Sequence, residues 1–275
     1  VYKRQTMKND GSQISKYSPL EGRRQPGEEQ CGMHINCCNA NGPRGFALIP
    51  KTACTIKDNH IYLNLYLPLQ ATISLNKKNK VHLNVESEYP IHGKVNVNIG
   101  VQKKEKFTLA LRIPTQIEKM KAYINGEEQE ITHKGGYLYI ERIWENADKV
   151  TLDFKIETKV VKLNNSQAIV RGPLLFARDS RFNDGDIDEC ATIKCNNQGV
   201  IQAKIKKNKT GTFPWITLTV PAVLGTDLEN VENKTPKLIN FCDFSSSGND
   251  WNPNGRYRVW IPQTFHAMSE PYKKY

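Results

Sequence analysis

Two adjacent cysteines, Cys37 and Cys38, are the residues best placed in this sequence to do chemistry. Their Cα atoms must lie ~3.8 Å apart, inside the ~4.4 Å lower limit usual for a disulfide, so they are poor partners for each other. They stand at the mouth of a Gly/Pro turn and a helix N-terminus, where the helix end and any bound cation lower a thiol pKa. A thiolate held there is a nucleophile or a metal ligand. The competing reading is two buried thiols that pack as small hydrophobes. Spacing alone does not define a zinc site, because Cys31 precedes Cys37 by six positions, whereas structural sites use C-x2-4-C arms. The seven cysteines, at 31, 37, 38, 54, 190, 195 and 242, are odd in number, so at least one is free or bridged to another chain.

Other residues invite chemistry less strongly. Glu28 and Glu29 read as solvated loop charges rather than a catalytic pair, and His34 has no second ligand at a fixed spacing. Arg44 suits substrate contact or packing equally. Asp184, Asp186 and Asp188 alternate around Gly185 in the manner of a calcium loop, without the Gly at the sixth and Glu at the twelfth position that an EF-hand requires. Cys190 and Cys195 are a weak candidate disulfide. Tyr62, Tyr66, Tyr137, Tyr139 and Trp144 have rings that could stack on sugars or pack between sheets.

The elements that must position these groups follow from periodicity. The first 36 residues read as loop. Asn41 suits the cap of a short helix whose apolar residues are Phe46, Ala47, Leu48 and Ile49, with Pro50 interfering. After Asn59 the period becomes two. "HIYLNLYLP", "KVHLNVESEYP", "GKVNVNIG", "KFTLALRIP", "GYLYIERIW" and "KVTLDFKIE" are short alternating runs between turn residues, the mark of half-buried antiparallel strands in a sandwich or barrel. Val81, Leu83 and Val85 face one way, and His82, Asn84 and Glu86 the other. Asn125-Gly126 predicts a type I′ hairpin, since both residues tolerate positive φ. "QAIVRGPLLFARD" (Gln167 to Asp179) reads as a buried strand that bends at Gly172-Pro173, or as a strand passing from one unit to the next, and a boundary is expected near residue 180.

Composition removes several function classes. Of 275 residues 38% are hydrophobic and 24% charged, enough for a sizeable core, and no run approaches the ~18 apolar residues of a membrane span. The net charge of +11 is spread over Lys77 to Lys80, Lys103 to Lys106 and Lys204 to Lys209, each placed where a turn would fall. Without an aromatic-interleaved basic helix, this favours solvated loops over nucleic-acid contact. The chain opens "VYKRQTMKND" with neither Met nor a signal segment, and is expected to be a fragment.

One further pattern carries specific information. "INCCNANGPRGFALIP" from Ile35, then "HIYLNLYLP", "YPIHGKVNVNI", "FTLALRIP", "NGE" (Asn125 to Glu127), "GYLYIERIW", "KVTLDF" and "AIVRGPLLFARD" together resemble the C-terminal half of glycoside hydrolase family 127. The similarity runs in order from about residue 10 to 190, and the family includes bacterial β-L-arabinofuranosidases. The resemblance implies a mainly β chain: antiparallel β-sandwich domains following the C-terminal end of an (α/α)6 barrel. Residues 1–55 would close the barrel, 56–180 form a β-sandwich domain, and 181–275 a C-terminal β-rich region. It further implies a retaining mechanism in which zinc is held by an upstream Glu, an upstream Cys and the adjacent cysteines. Carried over, Cys37 is the nucleophile and a zinc ligand, and Cys38 is a zinc ligand. The family's upstream ligands and acid/base Glu precede the pair by more residues than stand here, so the chain by itself is expected to be inactive. The implied partner is a carbohydrate, L-arabinose-like or another plant-polysaccharide sugar, and the implied location periplasmic or secreted; a homo-oligomer is left open. Where the arabinofuranosidases read "CCPPN", this chain reads "CCNAN" (Cys37 to Asn41), which puts the sugar in question. The alternative is a noncatalytic β-sandwich that binds carbohydrate or serves as scaffold.

Overall fold

A computed structural model of the 275-residue chain describes residues 6–7, 14–15, 19–24, 37–75, 79–209, 213–225 and 235–263. For 6–7, 14–15 and 37–40 only the backbone is described. Three two-residue strands come first, β1 (Thr6–Met7), β2 (Ile14–Ser15) and β3 (Glu21–Gly22), followed by helix α1 (Cys37–Thr52). All other regular structure among the described residues, but for one 3-10 turn, is strand. The chain forms two compact units, Pro43–Ile156 and Val1–Gly42 with Glu157–Tyr275.

The unit Pro43–Ile156 holds strands β4 (Cys54–Lys57), β5 (His60–Leu63), β6 (Leu69–Ser74), β7 (Lys80–Ser87), β8 (Lys94–Val101), β9 (Glu105–Arg112), β10 (Met120–Ile124), β11 (Glu127–Gln129), β12 (His133–Lys134), β13 (Tyr137–Trp144) and β14 (Asp148–Phe154). They make a six-stranded sheet, β11-β10-β14-β8-β7-β6, and a five-stranded sheet, β12-β13-β9-β5-β4. Every pair is antiparallel except β5 with β9. The alternation read from the sequence sets which face is buried: Val81, Leu83 and Val85 point inward with Val95, Val97 and Ile99, and meet Leu109, Leu111, Leu138 and Trp144 of the other sheet in one core. This is the expected β-sandwich. At about 25 cal/mol per Å² of buried apolar surface, that shared core is its main source of stability.

Local chemistry fixes the turns. Asn125 (φ 52°) and Gly126 (φ 92°) close the β10–β11 hairpin as predicted, with Ile124 opposite Glu127. Asn125 also donates through Nδ2 to Asp148 Oδ1 (2.8 Å), which ties the hairpin to β14. At Gly93 the constraint is space rather than φ. A Cβ there would lie 1.8 Å from the Phe154 carbonyl oxygen, so only glycine lets the start of β8 approach the end of β14.

The second unit contains β15 (Thr158–Leu163), β16 (Ser166–Arg171), β17 (Leu174–Asp179), β18 (Ala191–Ile193), β19 (Lys204–Lys207), β20 (Ile216–Leu224), β21 (Lys237–Asp243), β22 (Tyr257–Arg258) and β23 (Ile261–Pro262). The main path runs β15-β16-β17-β21-β20-β18. Strand β3 joins through β22, with Tyr257 opposite Gly22, so a segment from the start of the chain completes this unit.

Four expectations change. The domain division falls after Ile156, not near residue 180, because β15 to β17 pair among themselves and with β21 and β23 rather than with the sandwich. Residues 1–55 are not one piece: β4 already belongs to the sandwich through its ladder to β5, while β3 lies in the other unit. Gly172-Pro173 is not a bend in one strand but the turn of the β16–β17 hairpin, Gly172 taking φ 52°. Of the basic run Lys204 to Lys209, placed at a turn by its charge, Lys204 to Lys207 lie within strand β19, which overlaps the alternating run "VIQAKIK" (200–206); its exposed lysines are the charges with which edge strands discourage further pairing.

Candidate functional site

Helix α1 begins at Cys37, four residues before the expected cap Asn41, so Cys37 and Cys38 occupy its first turn. The helix continues through Pro43 and Pro50 to Thr52. Pro50 costs one backbone bond, but Ala53 N–H donates to Ile49 O (2.8 Å) and Thr52 Oγ1 to Leu48 O (2.9 Å), which closes the last turn beyond it. Phe46 and Leu48, expected to bury an apolar face, are more than half exposed. Arg44 is exposed as well. Glu28, Glu29, Cys31 and His34 lie outside the described residues, as do the side chains of Cys37 and Cys38.

No group of three or more His, Cys, Asp or Glu gathers to hold a metal among the described residues. The acidic loop shows why. Asp184 accepts from the Asn240 backbone N–H (2.5 Å) and lies 3.5 Å from the buried Arg178. Asp186 caps Asp188 N–H (2.9 Å), and its carbonyl takes Arg178 Nη1 (2.7 Å). Asp188 holds Arg256 and Arg258, each at 2.7 Å. Three carboxylates that alternate in sequence are thus clamped by arginines and backbone amides, and the calcium reading is withdrawn. Cys190 and Cys195 are both free, with β18 between them, and Cys54 and Cys242 are free also. Burial pushes the Cys54 thiol up to about 11 and raises the Cys242 thiol well above its ordinary value, so neither is a thiolate near neutrality.

The five candidate aromatic rings separate. Trp144 is fully buried, stacked on Phe107 at 5.5 Å, with its Nε1–H donating to Phe107 O (3.0 Å). Tyr66 is buried against Tyr89 and Phe154 and donates its hydroxyl to Arg112 O. Both are core. Tyr62, Tyr137 and Tyr139 lie instead on the outer face of the five-stranded sheet, their centroids 5.4 to 6.4 Å apart. They pack over Ala110, which is fully buried although its side chain shares their face. Tyr137 is fixed by its hydroxyl on Asn64 Oδ1 (2.6 Å).

Sequence reasoning missed the buried polar network of the second unit. Arg24, 1% exposed, lies 4.9 Å from the ring centroids of both Phe244 and Tyr257 and donates to Phe244 O (2.5 Å) and Ser247 Oγ (3.0 Å). Desolvation lowers its pKa. Asp179 takes both Arg181 (2.7 and 2.8 Å) and Gly248 N–H (2.8 Å), while Asp243 takes Ile216 N–H (3.0 Å) and Ser246 Oγ (2.7 Å). These groups satisfy one another and hold the 243–251 turns, so the network is scaffold. No periodic signal marks such long-range pairs.

Comparison with known proteins now bears on this arrangement. Residues 60–156 match the family described as beta-L-arabinofuranosidase, GH127 middle domain. That interval ends with the sandwich unit at Ile156 and covers its strands from β5 onward. The similarity is to glycoside hydrolase family 127. The solved structure of a GH127 beta-L-arabinofuranosidase from Geobacillus stearothermophilus T6 superposes with a TM-score of 0.70 at 22% identity, over 94% of this chain and 44% of that one. A GH127 beta-arabinofuranosidase gives 0.70 at 21%, over 94% and 43%. These likenesses are of fold, and they cover both units. The chain spans less than half the length of those structures. No curated protein sequence matches it.

Proposed function

We propose that this chain is part of a retaining glycoside hydrolase of the GH127 type, acting on a plant-type polysaccharide in the manner of a β-L-arabinofuranosidase. The observation that carries the reading is helix α1 starting at Cys37, directly ahead of the segment that matches the GH127 middle domain. In this proposal Cys37 is the nucleophile. Its thiolate attacks the anomeric carbon, the glycosidic C–O bond breaks, and the leaving oxygen takes a proton from an acid supplied by another part of the protein. Water then attacks the anomeric carbon from the face opposite the C–S bond, giving a proton to that group; the C–S bond breaks, Cys37 departs as thiolate, and the sugar leaves with its anomeric configuration retained.

Zinc fits the donors at this position by chemistry: two thiolates on a helix N-terminus are soft, anionic ligands and would be Cys37 and Cys38. Bound there, the ion would supply a lowered thiol pKa and a stabilised leaving thiolate. The proposal takes the remaining ligands, and the acid/base group, from elsewhere in the protein. The 275 residues alone are then expected to show no turnover and weak zinc retention.

The test is hydrolysis of an aryl β-L-arabinofuranoside by the longer protein that carries this chain. Turnover lost in Cys37→Ser, with zinc content reduced in Cys38→Ser, supports the reading. Undiminished turnover in Cys37→Ser overturns it.

A further inference from the structure

The sandwich has two outer faces, and they differ in what their side chains leave unpaired. On the five-stranded sheet the tyrosines pack edge to face and cover Ala110, so that face largely satisfies itself. The six-stranded sheet does not. Its registers place Gln70, Asn84, Asn98 and Lys149 side by side on β6, β7, β8 and β14. The next row is Glu86, Asn96, Thr151 and Tyr123, on β7, β8, β14 and β10. Strands avoid asparagine, and threonine would keep such a face soluble at lower conformational cost. Three asparagines in the middle of β7 and β8 therefore need another reason.

Their hydrogen bonding supplies one. Gln70 and Asn98 make no side-chain hydrogen bond among the described residues. Asn84 has only a 3.5 Å contact to Glu86, and Asn96 accepts from Thr151 Oγ1 (3.0 Å), which leaves its NH2 unused. Each amide both donates and accepts without formal charge, the capacity that matches a row of sugar hydroxyls. Phosphate would need more cations than Lys149, which alone stands in these rows beside Asn98, and a protein partner an apolar centre. Tyr123, half-buried at the end of its row, offers a ring face for stacking. An open depression of about 620 Å³ lies over the β6–β7 edge, lined by Gln70, Asn84 and Glu86 together with Pro68, Leu69, Val85 and Ser87. From Tyr123 to Glu86 the row crosses three strand spacings of ~4.8 Å, about 14 Å in all.

We infer that the outer face of the six-stranded sheet binds a neutral polysaccharide, holding the polymer apart from any catalytic step. The inference is independent of the Cys37 reading, and its test is run so that the two fail separately. The chain, carrying Cys37→Ser and kept in EDTA, is electrophoresed through native gels containing soluble arabinan, arabinogalactan or xylan, with polygalacturonate as the anionic comparison. Retardation by at least one neutral polymer is expected, with at least tenfold weaker affinity in Asn84→Val/Asn98→Val at an unchanged melting temperature. Valine favours strands, so the double variant is expected to fold; should it melt early, Gln70→Ala on the exposed edge strand carries the same expectation of weakened retardation. Three outcomes overturn the inference: no retardation by any neutral polymer, retardation equal in the variants, or retardation by polygalacturonate alone that salt abolishes.

Discussion

Trp144 offers a sharp test of which aromatic residues serve the fold and which the surface. Its indole is fully buried, stacks on Phe107 and bonds the Phe107 carbonyl, and the half-exposed Arg142 lies 5.3 Å from its centroid. Trp144→Phe keeps a stacked ring but removes the N–H donor, worth about 0.5–1.5 kcal/mol, and leaves a partial cavity costing about 1–2 kcal/mol. The two together come to about 2–3 kcal/mol. Tyr139, 37% exposed on the outer face, should by contrast cost less than about 1 kcal/mol when changed to Ala. With a urea m-value of about 2 kcal/mol/M, Trp144→Phe should move the sandwich midpoint down by about 1–1.5 M and Tyr139→Ala by less than about 0.5 M. Far-UV circular dichroism is the readout, because the substitution removes a fluorophore. Two units need not unfold together, so the transition is assigned by hydrogen exchange at Leu109 and Leu138. Equal midpoints for Trp144→Phe and the parent would refute the packing argument. Loss of polysaccharide binding at an unshifted midpoint would return Trp144 to the surface roles that its sequence also allowed.

Asp148 is buried; its desolvation is outweighed by hydrogen bonds from Asn125 and the Glu145 backbone N–H and by Arg142, so its pKa is lowered in the folded chain. A carboxyl depressed in this way adds stability above its unfolded pKa of ~3.9, and loses it as pH falls through the folded value. Asp148→Ala should therefore cost about 3 kcal/mol at pH ~7 by the loss of two charge-assisted bonds, and urea midpoints of the two proteins should converge below pH ~3.9. Gly93→Ala, driving a Cβ to 1.8 Å from the Phe154 carbonyl, should cost about 2–3 kcal/mol and speed hydrogen exchange at Phe154 N–H; normal exchange there would contradict the close approach. Site-resolved iodoacetamide labelling at pH ~8 should modify exposed Cys195 and spare Cys54, whose thiol is held up at about 11 by burial; equal labelling would show that strand β4 opens readily.

Much of the fold was legible because its signals are local. Period-two alternation from His60 to Phe154 gave the inward faces of β7, β8 and β14 correctly, since a strand's side-chain direction needs no knowledge of its neighbours. Asn125-Gly126 gave its hairpin because positive φ is a property of those two residues. The helix that carries Cys37 and Cys38 was legible, although it starts earlier than its polar cap residue suggested. The acidic loop misled: alternating aspartates resemble a cation site in sequence, and only the fold brings Arg178, Arg256 and Arg258 against them.

The sequence by itself thus determined which residues alternate, where the chain turns, and that two thiols stand together. Tertiary structure decided partnership. It moved the boundary to Ile156 because β15 to β17 found partners as far along the chain as β21 and β23, and it drew β3 to β22 across most of the chain. It split five similar rings into core and surface, and set Gln70, Asn84 and Asn98 in one row, because strand register is fixed by how two sheets share a core. Periodicity in one strand fixes the face a residue takes; the residue across from it is fixed only when the sheet assembles.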